Sequence, residues 1–110
     1  MTEVKQPAEV DFDTLMALVF RSVDEVGATL NTALVVMGDK LGYYRAMAAS
    51  GPTTPSRLAD DTGTAEPYVR EWLNAQAAGA IVEYDPATGE YTLPPEQIVA
   101  FTDESSPAYL

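Results

Sequence analysis

A mainly α-helical domain with a small β-hairpin is the architecture this sequence predicts. Three observations carry it. Apolar residues recur at helical spacing through the first half. Two short, capped helical stretches are parted by Gly63. Two β-type runs flank a five-residue turn from Asp85 to Gly89, with Pro86 near its start and Gly89 at its end. The 110 residues are one domain's worth, and a hydrophobic fraction of 46% supplies a core that an acidic tail would lack.

Residues 1–10 read as a flexible start. Asp11 or Asp13 can cap the helix that follows. Phe12, Leu15, Met16, Val19, Phe20, Val23 and Val26 then recur at steps of 3, 1, 3, 1, 3 and 3, one face of a helix. Gly27 weakens that helix, and Thr29 can cap a second one, from about Thr29 to Ala49. Leu30, Leu34, Met37, Leu41, Tyr44 and Ala48 form its stripe, and its middle, Ala33 to Met37, is apolar all round, as in a helix buried on several sides. Ser50-Gly51-Pro52 ends it.

Thr54 caps the next helix and Pro55 occupies its first position, so a short helix runs from about Pro55 to Thr62. Gly63 can take the left-handed turn conformation. Thr64 is placed to cap again, and Pro67 still falls in a first helical turn. The helix that follows reaches about Ala78, with Val69, Trp72, Leu73 and Ala77 on one face, and Gly79 stops it. Ile81 to Tyr84 and Glu90 to Leu93 read as strands around a loop from Asp85 to Gly89. Pro94-Pro95 breaks the second strand, Glu96 to Phe101 is expected to be one more short helix, and 102–110 reads as a connector.

Short helix, glycine turn, longer helix and hairpin is the order of a winged helix-turn-helix, here preceded by two long helices. The expected segments are 1–10, a helical segment 11–49, a winged helix-turn-helix 50–101 and a linker 102–110. Such folds often read DNA with the second helix in the major groove. Charge opposes that use. From Thr53 to Leu93 the chain has two basic side chains, Arg57 and Arg70, against seven acidic ones, a net of −5. DNA affinity comes mainly from Lys and Arg on phosphates. A DNA-binding transcriptional regulator is therefore the alternative reading, resting on the fold alone.

Composition narrows the chemistry further. The chain has 17 acidic and 6 basic side chains, a formal charge of −11, and neither His nor Cys. Zinc fingers, iron–sulfur sites, haem ligation, disulfide scaffolds and Ser-His-Asp or Cys-His pairs are excluded. No base–nucleophile pair emerges, so no catalytic or metal-ligating residue is nominated. The polar N-terminus has no apolar signal region, and the longest charge-free apolar run, Val26 to Gly38, spans 13 residues, against about 20 for a membrane span. The default compartment is the cytoplasm.

Four stretches also carry a family resemblance: Leu41-Gly42-Tyr43-Tyr44-Arg45-Ala46-Met47-Ala48, Thr54-Pro55-Ser56-Arg57-Leu58-Ala59, Tyr68-Val69-Arg70-Glu71-Trp72-Leu73 and Tyr91-Thr92-Leu93-Pro94. In order and spacing they resemble the N-terminal domain of bacterial, and more narrowly actinobacterial, class I S-adenosylmethionine-dependent methyltransferases, over about residues 14–110. The resemblance implies a domain that dimerises the enzyme and roofs the pocket of a small-molecule methyl acceptor, with a homodimer and a C-terminal catalytic domain as partners. It also implies that Asp103 to Leu110 leads into that Rossmann-like domain. The family's Gly-rich cofactor loop is missing here, because no G-x-G occurs among the seven glycines. S-adenosylmethionine is thus expected of the full-length enzyme, and no cofactor of this chain.

Candidate sites follow on these expectations. Gly38 and Gly42, four apart, leave a flank where a ligand or another helix can approach, and Asp39 beside it is either a substrate contact or a carboxylate in solvent or paired with Lys40. Asn31 and Thr32 either point polar groups into a pocket or make local hydrogen bonds. Val35 lies on the same helix, and Tyr43 and Tyr44 face different ways, one toward the core and the other toward a pocket or seam. The substrate-pocket candidates are Asn31, Val35, Gly38, Asp39, Gly42 and Tyr43. Asp60 and Asp61 diverge by about 100° on a helix and read as solvated. Phe12, Leu15, Met16, Val19, Phe20 and Val23 form a broad apolar face, the dimer-interface candidate, with intramolecular packing as its other reading.

Overall fold

The computed structural model describes residues 9–107. Most of the expected flexible start, and the last three residues of the expected linker, lie outside them. The element order is α1 (Phe12–Lys40), α2 (Tyr43–Ser50), α3 (Pro55–Thr62), α4 (Glu66–Ala78), β1 (Glu83–Asp85), β2 (Glu90–Thr92) and α5 (Pro95–Thr102). The chain divides into two compact units, residues 1–30 and 31–110. The fold class is that read from the sequence: mainly helical, with a winged helix-turn-helix.

In the first unit, Asp11 is the cap. Its Oδ1 accepts the Asp13 N–H at 3.1 Å and its Oδ2 accepts the Thr14 hydroxyl at 2.9 Å. An exposed Arg21–Glu25 pair at 3.0 Å supports the next turns. Phe12, Leu15, Val19, Phe20 and Val23 are exposed, Phe12 at 69% and Val23 at 63%, while Met16 is half-buried.

The helix break differs from expectation. Gly27 lies inside α1, with open space where a side chain would be, and the Thr29 hydroxyl donates to the Glu25 carbonyl instead of capping. A single helical Gly costs about 1 kcal/mol, which the surrounding helix formers outweigh. The chain breaks at Leu41-Gly42, where Gly42 takes φ +77° and its N–H reaches back to the Asp39 carbonyl at 3.2 Å. That left-handed step is open to Gly at little cost. It starts α2 with Tyr43 and Tyr44 both turned into the core.

In the second unit the helix-turn-helix forms as its punctuation dictates. The Thr54 hydroxyl accepts the Arg57 N–H, and Gly63 closes α3 at φ +66°. Thr64 does not cap α4. Ala65 holds that position with no side-chain bond, because the Thr64 hydroxyl is engaged by Thr62 at 2.8 Å and by Tyr43 at 3.3 Å. At the end of α4, Gly79 has φ −84° and Ala80 takes the left-handed conformation at φ 61°. The Ile81 N–H then caps the Gln76 carbonyl at 3.0 Å.

The wing is a two-stranded antiparallel sheet in the register Glu83↔Thr92, Tyr84↔Tyr91, Asp85↔Glu90. Asp85 pairs within the ladder, so the loop is one residue shorter than expected. Thr53 bridges to Tyr91 through N–H···O bonds of 2.9 and 2.7 Å. The core gathers Tyr43, Tyr44, Met47, Leu58, Val69, Trp72, Leu73, Val82, Tyr91 and Leu93, with Leu34 and Val35 packed against it. Phe101 of α5 stacks on Tyr44, ring centroids 4.5 Å apart.

Candidate functional site

The face that would meet DNA is electrostatically closed. Arg70 of α4 is paired with Glu66, and Arg57 of α3 lies 3.8 Å from Asp61. Glu83 and Asp85 of the wing are exposed. Both basic groups of the helix-turn-helix thus have an acidic neighbour one turn away, leaving little net positive charge for phosphate.

A cavity of about 750 Å³ opens between the last turns of α1 and the first half of α4. Leu34, Met37 and Leu41 line it from the α1 side, and Tyr43 from α2. Thr64 and Ala65 of the turn form its edge. Tyr68, Glu71, Trp72 and Ala75 complete it from α4. Their steps of 3, 1 and 3 put them on one helical face. That volume is within the range of small-molecule sites, and the lining is apolar apart from Glu71 and the hydroxyls of Tyr43, Thr64 and Tyr68.

Hydrogen bonds fix the walls. The Trp72 indole N–H donates to the Leu34 carbonyl at 2.9 Å, holding α4 against α1. Tyr43 and Trp72 rings meet at 4.8 Å, tilted by 55°. The Tyr43 hydroxyl donates to Thr64. Behind the wall, the Tyr44 hydroxyl donates to the buried Gln76 side-chain carbonyl, and the Gln76 amide donates to Asn31 Oδ1 at 3.4 Å. Burial, and secondarily the Asp39 charge, push the Tyr44 hydroxyl well above its ordinary pKa.

The sequence-nominated positions therefore separate. Tyr43 lines the cavity. Asn31 accepts from the Gln76 amide and does not line the cavity. Val35 packs on the core, and Gly38 is buried beneath Trp72. Asp39 is exposed next to the Gly42 turn. The cavity residues not nominated are Leu34, Met37 and Leu41 of α1, Thr64 and Ala65 of the turn, and the four of the α4 stripe. The stripe's period was visible, but Trp72 also belongs to the core stripe with Val69, Leu73 and Ala77, and the two faces overlap. Asp60 and Asp61 are both exposed. Among the described residues, no group of three or more acidic side chains is arranged to hold a metal ion, and no helix is long and apolar enough to cross a membrane.

This arrangement defines a winged helix-turn-helix whose second helix walls a cavity. The chain belongs to the family described as the Rv2258c-like winged HTH domain, whose model matches residues 28–103. It is similar in fold to LepI, solved in complex with SAM, at a TM-score of 0.58 and 23% identity, covering 82% of this chain and 21% of that one. It is also similar to CalO1, a methyltransferase in calicheamicin biosynthesis solved in its SAH-bound form, at a TM-score of 0.60 and 24% identity, covering 90% of this chain and 27% of that one. No curated protein matches the chain. The chain thus spans only 21% and 27% of the length of these two structures.

Proposed function

We infer that this chain is the dimerising, acceptor-covering N-terminal domain of a small-molecule methyltransferase that uses S-adenosylmethionine. The observation that carries the reading is the α1–α4 cavity on a winged helix whose own arginines have acidic neighbours. The family match and the likeness to two structures holding SAM or SAH support it. Charge disfavours the DNA-binding alternative, which predicts duplex binding that weakens steeply with salt.

The chain's own residues do not fit the cofactor. An adenosine cofactor held by a Rossmann-like domain sits on a Gly-rich turn from a strand into a helix, with an acidic group at the ribose. Here β2 meets α5 through Leu93 and Pro94, without glycine, and the sheet is a lone hairpin among the described residues. No step of methyl transfer is therefore assigned to these residues. Their part is to bind and shield an acceptor. On this reading Phe12, Leu15, Met16, Val19, Phe20 and Val23 form the dimer face.

Reading the gene beyond the Leu110 codon tests it. A strand followed by a G-x-G loop, within roughly 40–80 codons as a dinucleotide-type fold requires, is the expected result. A stop codon in that frame would remove the methyltransferase reading.

A further inference from the structure

We propose that the α1–α4 cavity is a binding site for a protonated amine carried on an apolar body. Three features of its lining select that chemistry. The walls are apolar, and three aromatic rings contribute to them, Tyr43, Tyr68 and Trp72. Aromatic faces attract cations, by more where water is excluded. The one charged group in the lining is the exposed Glu71 carboxylate; no Lys or Arg lines the cavity, its neighbour Arg70 is paired with Glu66, and no salt bridge engages Glu71 among the described residues.

The third feature is the direction of the hydrogen bonds. The Thr62 hydroxyl donates to the Leu58 carbonyl at 2.7 Å, so its oxygen accepts from Thr64. The Thr64 oxygen in turn accepts the Tyr43 hydroxyl proton. The Trp72 N–H is committed to Leu34. Tyr43, Thr64 and Trp72 thus have their protons in use; the Tyr43 and Thr64 oxygens offer a ligand acceptor lone pairs, and the Tyr68 hydroxyl can donate or accept. An ammonium group is a pure donor and fits them, while a carboxylate meets Glu71 and finds those donors occupied. The N-terminus of α4 works the other way, but Glu66 already occupies its first turn. The methyltransferase reading supplies only the ligand's fate, as part of an acceptor; the binding itself needs this chain alone.

Trp72 is the sole tryptophan, so its fluorescence reads the site directly. The 110-residue chain is titrated with 4-phenylbutylamine, 4-phenylbutanol and 4-phenylbutyrate, which share one body and differ in head-group charge. The amine is expected to bind best, by about three- to tenfold over the alcohol, with an affinity that falls as salt rises. Glu71→Gln is expected to erase most of that advantage while leaving the alcohol unchanged, and Glu83→Gln on the wing to change neither. If Glu71→Gln lost its native circular dichroism, Tyr68→Leu at the exposed ring would be read instead, with the same selective loss for the amine. Equal binding of all three probes, tighter binding of the carboxylate, or no Trp72 response to the amine at ~10 mM would each overturn the proposal. Amine selectivity with a stop codon after Leu110 would leave the site standing without the methyltransferase reading.

Discussion

The Trp72 ring occupies the space a Gly38 side chain would need: a β-carbon there would stand 2.4 Å from Trp72 Cζ2 and 2.8 Å from Tyr44 Cε2. Both neighbours are buried aromatic rings, locked by the Leu34 and Gln76 bonds, so neither can retreat cheaply. Gly38 is what lets α4 lie flush on α1 and makes the cavity's inner wall.

Gly38→Ala is expected to destabilise the protein by about 1–3 kcal/mol through overpacking. Gly27→Ala should act with opposite sign, stabilising by about 0.5–1 kcal/mol, because Gly27 is in mid-helix with nothing within 4 Å. Urea unfolding of the two variants side by side checks both signs.

Ala80 carries φ 61° without being glycine. The strain of a left-handed Ala is about 1–2 kcal/mol, partly offset by the extra freedom Gly brings to the unfolded chain. Ala80→Gly is expected to raise stability by about 0.5–1 kcal/mol, seen as a higher thermal midpoint with no change in the circular dichroism of the native state.

Tyr44→Phe removes the donor that satisfies the Gln76 side-chain carbonyl, which is fully buried. A loss of about 1–3 kcal/mol follows from the unpaired polar group. The same hydroxyl sets an alkaline limit. Its folded pKa lies above the ordinary 10.0, so the unfolded chain ionises first and the native state keeps its proton. Stability is full below about pH 10 and falls as pH rises above it toward the folded value. Tyr91, shifted up first by burial and then by Tyr84, adds in the same direction. Denaturation curves between pH 8 and 11 should show the decline, and it should be shallower in Tyr44→Phe.

Phe20→Asp with Val23→Asp tests the apolar face of α1. Both side chains are exposed, so the cost to the fold of one chain should be small, about 0.5 kcal/mol or less apiece. Sedimentation of the wild-type chain is expected to show a dimer, and the double variant a monomer. A wild-type chain that is monomeric at high micromolar concentration would remove the dimer reading.

Local punctuation made half of this fold legible. Thr54, Pro55 and Gly63 bound α3 as read, because capping, fixed φ and left-handed freedom act over a few residues. The break in the long helix is not legible for the converse reason. Gly27 and Gly42 look alike in sequence, and the break falls where burying Tyr43 and Tyr44 rewards a turn. Thr64 has the look of a cap in sequence, but its partner, Tyr43, is remote in the chain. The cavity was hidden by Trp72, which serves two faces of α4 at once.

The bridge between Thr53 and Tyr91 has a kinetic consequence. Helices α3 and α4 close through near-neighbour contacts, whereas this pair of bonds ties the wing to a residue that precedes both helices. The entropy of closing that long loop is lost before either bond can form. The wing is therefore expected to lock last on the folding route. In native-state hydrogen exchange, the Tyr91 and Thr53 amides should open at lower free energy than those of Leu73 and Gln76.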